Sequence, residues 1–338
     1  LIANQQEHNM SAQPPSNVTK LHWDFLKPGD TIDVIAPSSP PANPQQNIAA
    51  IKAYFADKDI KVNIPDGLIA PTVPLNAANT AEKRVAFIEQ ALNSDSKAIW
   101  AILGGGWGSE LLPLLAQLKP PARVKPIIGY SDVTALHIFF NHVWNWPTLH
   151  SIELGANGDI EPAWNQNHIE ETLKVLRGEQ TTLRYPLTPL NTVAHTPGVH
   201  DGLRVVGGNS LLLSAMKGTI LFMPDTDNGI LFIESVALNP GELSRILDGF
   251  MYSDMVLKAK AVMFGNFVQT GGQPNPAEIE MQFEYIQNRF ATKLEQVGIA
   301  VLRAENLFGH SANNQPLPFN TNAVLTLGTS PMLEVSVN

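Results

Sequence analysis

The sequence predicts an α/β protein of two domains, the first a doubly wound, mostly parallel sheet. Three observations lead there. Short apolar runs that end in glycine, proline or serine turns recur from Gly29 onward, each followed by a stretch with helical spacing. Strands that alternate with helices in this way make parallel sheets. The 338 residues are enough for two cores. Beyond residue 200 the alternation becomes irregular and ends in a pair of strands, as expected of a second, mixed α/β domain.

Thr31–Pro37 reads as a short buried strand, followed by the turn-rich Ser38–Pro41. Asn47–Ala56 has helical spacing, Lys61–Pro65 is a second strand, and Ala81–Asn93 is a helix with alanine and leucine on one face. Ala98–Leu103 is a third strand that ends in the glycine turn Gly104–Ser109. Glu110–Leu118 is helical and Pro126–Tyr130 is a fourth strand. In such sheets ligands sit beyond the carboxyl ends of the strands, where the Ser38, Gly104 and Ser131 turns all fall. The expected organisation is a polar extension (1–24), a first α/β domain (25–155), a connecting region with one helix near Asn167–Arg177 (156–200), and the mixed domain (201–338). In that last part Gly202–Val206, Gly229–Ile233 and Ala259–Phe264 read as strands. Leu211–Met216, Pro240–Tyr252 and Pro276–Ala291 read as helices, and Asn322–Leu327 with Met332–Val337 as a hairpin.

Composition narrows the function. A net charge of −9 and the lack of basic runs argue against nucleic acid and anionic membrane partners. No run approaches the roughly 18 apolar residues of a membrane span. The chain has no cysteine, which excludes thiolate nucleophiles, disulfides and cysteine-ligated zinc. No His-x-x-x-His or His-Glu-x-x-His pair occurs, so no metal is expected. Leu1 in place of Met, with a polar stretch to residue 20, fits the mature end left after signal-peptide cleavage. Both a cytoplasmic and a periplasmic location stay open.

Four segments carry candidate chemistry. Ser131 sits at a strand–turn–helix junction, where a hydroxyl projects over the sheet edge beside free backbone N–H groups. Val133 replaces the second glycine of the usual Gly-x-Ser-x-Gly elbow, and a plain helix cap is the competing reading. The turn Gly104–Gly108 lacks the Gly-Lys-Ser/Thr of a phosphate loop and breaks the dinucleotide register at Ser109. It suits an oxyanion-binding surface or a simple tight turn. Glu234 ends the apolar strand Gly229–Ile233, and His310 follows Gly309 in a loop rich in Asn and Pro. A turn serine, a strand-end carboxylate and a loop histidine are the parts of a nucleophile–base–orienter triad.

In this order the segments resemble the L,D-carboxypeptidases of serine peptidase family S66, which include the microcin C immunity peptidases. The resemblance spans roughly residues 28–330. It rests on Gly29–Pro40, Gly105–Ser109, Gly129–Thr134, Gly207–Leu211, Leu231–Glu234 and Gly309–His310. It implies Ser131 as nucleophile, His310 as general base and Glu234 as orienter. It also implies a class I amidotransferase-like first domain, a swivelling β/β/α second domain, a homodimer, and no cofactor. The backbone N–H groups of Asp132 and Gly106 are the expected oxyanion donors. Gly105, Trp107, Ser109, Asn209 and Arg245 are the expected substrate contacts. The chain departs from the family at Ser235, at Ser151–Ile152 and at Phe319–Asn320, so the loops near 150–165 and 320 are where substrate choice is expected to be set. A small murein-type peptide is the expected substrate. Three alternatives remain: an immunity-type hydrolase of peptidyl nucleotides, with Trp164 as a stacking candidate; a non-catalytic binding protein of the same fold; and a nucleotide-dependent oxidoreductase, which the broken glycine register disfavours.

Overall fold

The structure is a computed structural model and describes residues 23–155, 163–219, 222–269, 275–310 and 313–337. Most of the expected N-terminal extension lies outside the described residues.

In chain order the first half holds β1 (Thr31–Ile35), α1 (Pro44–Ala56), β2 (Lys61–Asn63), α2 (Ala81–Asn93), β3 (Ala98–Ala101), α3 (Leu112–Leu115), β4 (Ile127–Gly129), α4 (Thr134–Ile138) and β5 (Thr148–His150). All five strands are parallel, in the order β5-β4-β3-β1-β2. Burial on both faces explains why these strands read as continuous apolar runs. The order reverses direction between β1 and β3. That crevice is where a doubly wound sheet places its ligand. The turns after β1 and β3 meet there, with Ser39 N–H donating to the Gly104 carbonyl at 3.0 Å.

The second half begins earlier than residue 201. After α5 (Ala163–Leu176) come β6 (Thr182–Pro186), β7 (Thr188–Pro189) and α6 (Thr192–His195), all inside the segment expected to be a connector. β8 (Gly198–Asn209), α7 (Ser210–Met216), β9 (Gly229–Val236), α8 (Pro240–Phe250), α9 (Asp254–Leu257), β10 (Ala261–Val268), α10 (Pro276–Glu295) and β11 (Ala300–Arg303) follow. The chain closes with β12 (Leu317–Phe319), β13 (Asn322–Leu327) and β14 (Met332–Ser336). An eight-stranded mixed sheet runs β6-β14-β13-β8-β9-β10-β11-β7. Strands β8 to β11 are mutually parallel, and β13 and β14 form the expected antiparallel hairpin, with Leu325 opposite Leu333. β12 leaves this sheet and pairs antiparallel with β5 at the edge of the first, Leu317 opposite His150.

Strand alternation divides the interior into two apolar layers. Ile32, Val34, Trp100 and Ile128 of the first sheet share one layer with Val205, Ile230, Phe232 and Met263 of the second. Ile35, Ile99, Ala101 and Ile127 share the other with Leu231, Ile233, Val262 and Phe264. Each layer is therefore continuous across both sheets. Among the described residues no helix is long and apolar enough to cross a membrane.

Candidate active site

The Ser131 turn opens where β4 ends. Ser131 has φ +58°, a left-handed conformation that costs a non-glycine residue energy and is found where surrounding structure over-determines it. The helix behind it starts as a single 3-10 turn over Ser131–Val133, becomes α4, and passes into a π turn over Phe139–Val143. N–H groups of a first helical turn have no partner within the helix, so that of Asp132 is available beside Ser131.

The Asp132 side chain holds the site together from below. It is buried and accepts from Ser38 Oγ at 2.5 Å and from Gly108 N–H at 2.7 Å. Burial raises its carboxyl above the usual range, against the lowering effect of those two bonds and of the Arg84 charge. One carboxyl thus links the Ser38 turn, the glycine turn and the Ser131 turn. Arg84, fully buried, donates to the Pro37 carbonyl at 2.6 Å, the Trp107 carbonyl at 3.1 Å and the Glu110 carboxylate, bracing the same turns from α2.

Gly104 sits where the turns approach most closely. A Cβ there would lie 3.0 Å from Ser131 Cβ and 3.2 Å from Asp132 N, so only glycine leaves this gap open. At Gly106 a Cβ would meet open space. Trp107, also left-handed at φ +79°, is exposed at the rim, and Ser109 is half-buried behind it.

The second sheet supplies the other half. Glu234 lies near the end of β9 and is fully buried. Its Oε2 lies 2.8 Å from His310 Nδ1 and its Oε1 accepts from Asn209 Nδ2 at 3.0 Å. Burial pulls the His310 imidazolium down. The Glu234 charge and hydrogen bond, with help from Glu153, outweigh that and leave His310 above the usual imidazole value. The His310 ring packs against the Tyr130 ring with centroids 4.7 Å apart, directly before Ser131 in the chain. With Nδ1 taken by Glu234, Nε2 is the nitrogen left to exchange protons.

The expected site residues therefore separate. Ser131, Asp132, Glu234, His310 and the glycine turn converge. Asn209 belongs with them, but its contacts are to protein: it orients Glu234, caps α7 through Leu211 N–H at 3.0 Å, and donates its own N–H to Thr134 Oγ1 at 2.9 Å. Arg245 stands apart. It is exposed on α8, whose inward face is Leu243, Leu247 and Phe250, and among the described residues no hydrogen bond or ion pair joins it to the cluster. The Trp164 side chain and much of the 150–165 loop lie outside the described residues. Among the described residues no group of three or more His, Asp or Glu side chains is placed to hold a metal ion.

Sequence reading missed Glu153. It lies three residues past β5, is buried, and sits between the glycine turn and the nucleophile turn. A carboxylate in a short loop gives no sequence pattern to find.

Known protein families match this chain along most of its length. The LD-carboxypeptidase N-terminal domain matches residues 32–151, and the LD-carboxypeptidase C-terminal domain matches residues 203–325. The chain belongs to the LD-carboxypeptidase family, peptidase S66. It is a serine carboxypeptidase, a hydrolase of two-domain α/β architecture. A putative carboxypeptidase of Rickettsia conorii is 30% identical over 249 residues, 73% of each chain. A probable murein peptide carboxypeptidase of Bacillus subtilis is 26% identical over 247 residues, 72% of this chain and 73% of its own. The solved MccF-like protein of Bacillus anthracis superposes with a TM-score of 0.73 at 20% identity, over 93% of this chain and 98% of its own, which speaks for the fold.

Proposed function

We propose that this carboxypeptidase removes a C-terminal D-amino acid from an L,D-peptide bond in murein-type peptides, converting tetrapeptide to tripeptide. The observation that carries the reading is the Glu234–His310 pair, 2.8 Å apart, packed against the turn that bears a left-handed serine.

In this reading Ser131 Oγ attacks the carbonyl carbon while His310 Nε2 takes its proton. Glu234 accepts the Nδ1 proton, fixes the tautomer and stabilises the imidazolium. The oxyanion forms against the N–H groups of Asp132 and of the Gly105–Gly106 turn. When the intermediate collapses, His310 passes its proton to the departing amine of the D-residue. Water then attacks the acyl-enzyme, again deprotonated by His310, and the proton returns to Ser131. Gly105, Trp107 and Ser109 border the same gap and are the nearest surfaces for the peptide. Asn209 acts through Glu234. The resemblance to the Bacillus subtilis relative supports the murein substrate. Assembly as a homodimer belongs to the same proposal and is read by light scattering.

The test is a pair of tetrapeptides that differ only in the configuration of the last residue, with products identified by mass. Cleavage of the D-terminal peptide alone is expected, and a Ser131→Ala protein loses it. Equal cleavage of both, or cleavage only of a peptidyl nucleotide, would replace this reading with an immunity-type one.

A further inference from the structure

Glu153 is an unused carboxyl at the centre of the site. The segment that carries it crosses beneath the strand ends on a rigid base. Ser151 N–H donates to the Gly129 carbonyl at 3.1 Å, Leu154 N–H to Ala101 at 3.2 Å, and Gly155 N–H to Ile102 at 2.6 Å. The Trp100 indole donates to the Ile152 carbonyl at 2.8 Å, and Ser151 Oγ pairs with Thr172 Oγ1 of α5 at 2.6 Å. From this base the Glu153 side chain rises between two turns. It accepts the Tyr130 N–H at 3.4 Å on one side and the Gly104 N–H on the other. These are the residue before the nucleophile and the glycine that faces it.

We propose that Glu153 is a positioning residue for the hydrolysis: its carboxyl joins the glycine turn to the nucleophile turn and sets the width of the gap in which the oxyanion forms. The inference rests on the serine-hydrolase reading above and extends it to a residue outside the triad.

The charge state follows from the surroundings. Burial pushes the Glu153 carboxyl up to about 8, against the two backbone N–H groups and the His310 charge, which lower it. The titratable groups facing it are His310 from the loop after β11, the Asp132 carboxyl and the Tyr130 phenol, with Glu234 behind His310. Below its raised titration point Glu153 is uncharged and leaves the oxyanion unopposed. As pH rises through its titration the new negative charge stands beside the space where a second one must develop. The alkaline side of the activity profile therefore belongs to Glu153.

The test compares wild type, Glu153→Gln and Glu153→Leu on a D-terminal murein tetrapeptide. It records kcat and KM across pH, thermal melting, and labelling of Ser131 by a fluorophosphonate. Glu153→Leu leaves two backbone N–H groups without an acceptor and lets the gap relax, so kcat falls about 10²-fold while KM changes little. Glu153→Gln keeps an oxygen acceptor that cannot ionise. It recovers most of that loss and removes the alkaline decline, which in wild type reaches about tenfold as the buried charge appears. A folded Glu153→Leu protein with wild-type kcat, or a Glu153→Gln profile with an unchanged alkaline limb, overturns the role of Glu153. If Glu153→Leu does not fold, the Glu153→Gln profile decides alone. A wild type that neither cleaves the peptide nor labels at Ser131 overturns the parent reading and this one with it.

Discussion

Replacing Gly104 with alanine tests the site with one carbon atom. The backbone there is not left-handed, so alanine is conformationally allowed and any effect is steric. The added methyl would stand 2.9 Å from Glu153 Oε1, 3.0 Å from Ser131 Cβ and 3.2 Å from Asp132 N. Comfortable carbon contacts begin near 3.5 Å, so three neighbours must yield by roughly half an ångström at once. None is the loose end of a surface side chain. Overpacking of this kind costs about 1–3 kcal/mol of stability. The catalytic cost is larger, because the methyl covers the Asp132 N–H and shifts Ser131. Loss of one oxyanion donor removes about 3–4 kcal/mol of transition-state stabilisation, or 10²–10³ in kcat. Gly218→Ala, outside the site, is the control, since its methyl meets open space and its backbone is not left-handed. The assay is kcat on the D-terminal tetrapeptide, with melting temperature measured on the same samples. A folded Gly104→Ala enzyme within a few-fold of wild type, or a Gly218→Ala enzyme damaged equally, would refute the placement of the oxyanion beside Gly104.

Four further outcomes follow, three from the site and one from the core. The neutral His310 needed as a base exists only above its raised pKa, so kcat/KM falls as pH drops through a point above the ordinary 6.5 of imidazole. Glu234→Gln removes the raising charge and leaves the burial, so an NMR titration of His310 moves down and turnover drops by about 10⁴; an unmoved titration would remove Glu234 from the role. Asn209→Ala strips Glu234 Oε1 of its donor and α7 of its cap, which together lower unfolding stability by about 2–4 kcal/mol in denaturant titrations, with kcat falling more than KM changes. Lys125→Met leaves the Ala91 and Ser94 carbonyls and two serine hydroxyls without the buried ammonium that now bonds all four, at 2.6–3.2 Å. It should cost about 1–3 kcal/mol, read by denaturant titration, with the kinetic constants unmoved.

The first sheet was readable because its strands are buried on both faces and show as unbroken apolar runs between turn residues. The Ser131 turn was readable for the same reason, since Ile127–Gly129 announces a strand that ends two residues before it. What escaped was set by distant pairing. β5 and β12 are three residues each, too short to show alternation, and β12 is held as a strand by its pairing with β5. β6 and β7 hide among Pro186 and Pro189, and proline is tolerated there because β6 and β7 are the two edges of the second sheet. Asp132 was expected to contribute its backbone N–H. Its side chain proves equally engaged, with a serine 94 residues away that no local pattern connects to it. Arg245 misled because a cation one helix beyond Glu234 is near in sequence, while α8 turns that position to solvent.

Ser131 follows a strand of the first sheet and His310 a strand of the second, so the proposed site depends on how firmly those sheets are joined. Shared apolar layers give adhesion but not registration, since the hydrophobic effect is non-directional. Registration comes from short polar links at the site itself. At Gly208, φ +136°, a Cβ would collide with the Thr134 side chain, so the end of β8 can lie against the start of α4 only because that residue is glycine. The next residue, Asn209, bonds Thr134 through its backbone and Glu234 through its side chain. On the far side the chain passes His310 and enters β12, which pairs with β5, the strand that leads into Glu153. Glu234 is thus tied to the nucleophile helix by one residue, and His310 to the floor of the oxyanion gap by one strand. A site linked in this way is organised before substrate arrives, which is the condition under which fixed N–H dipoles and a carboxylate already held against the histidine would lower a barrier most.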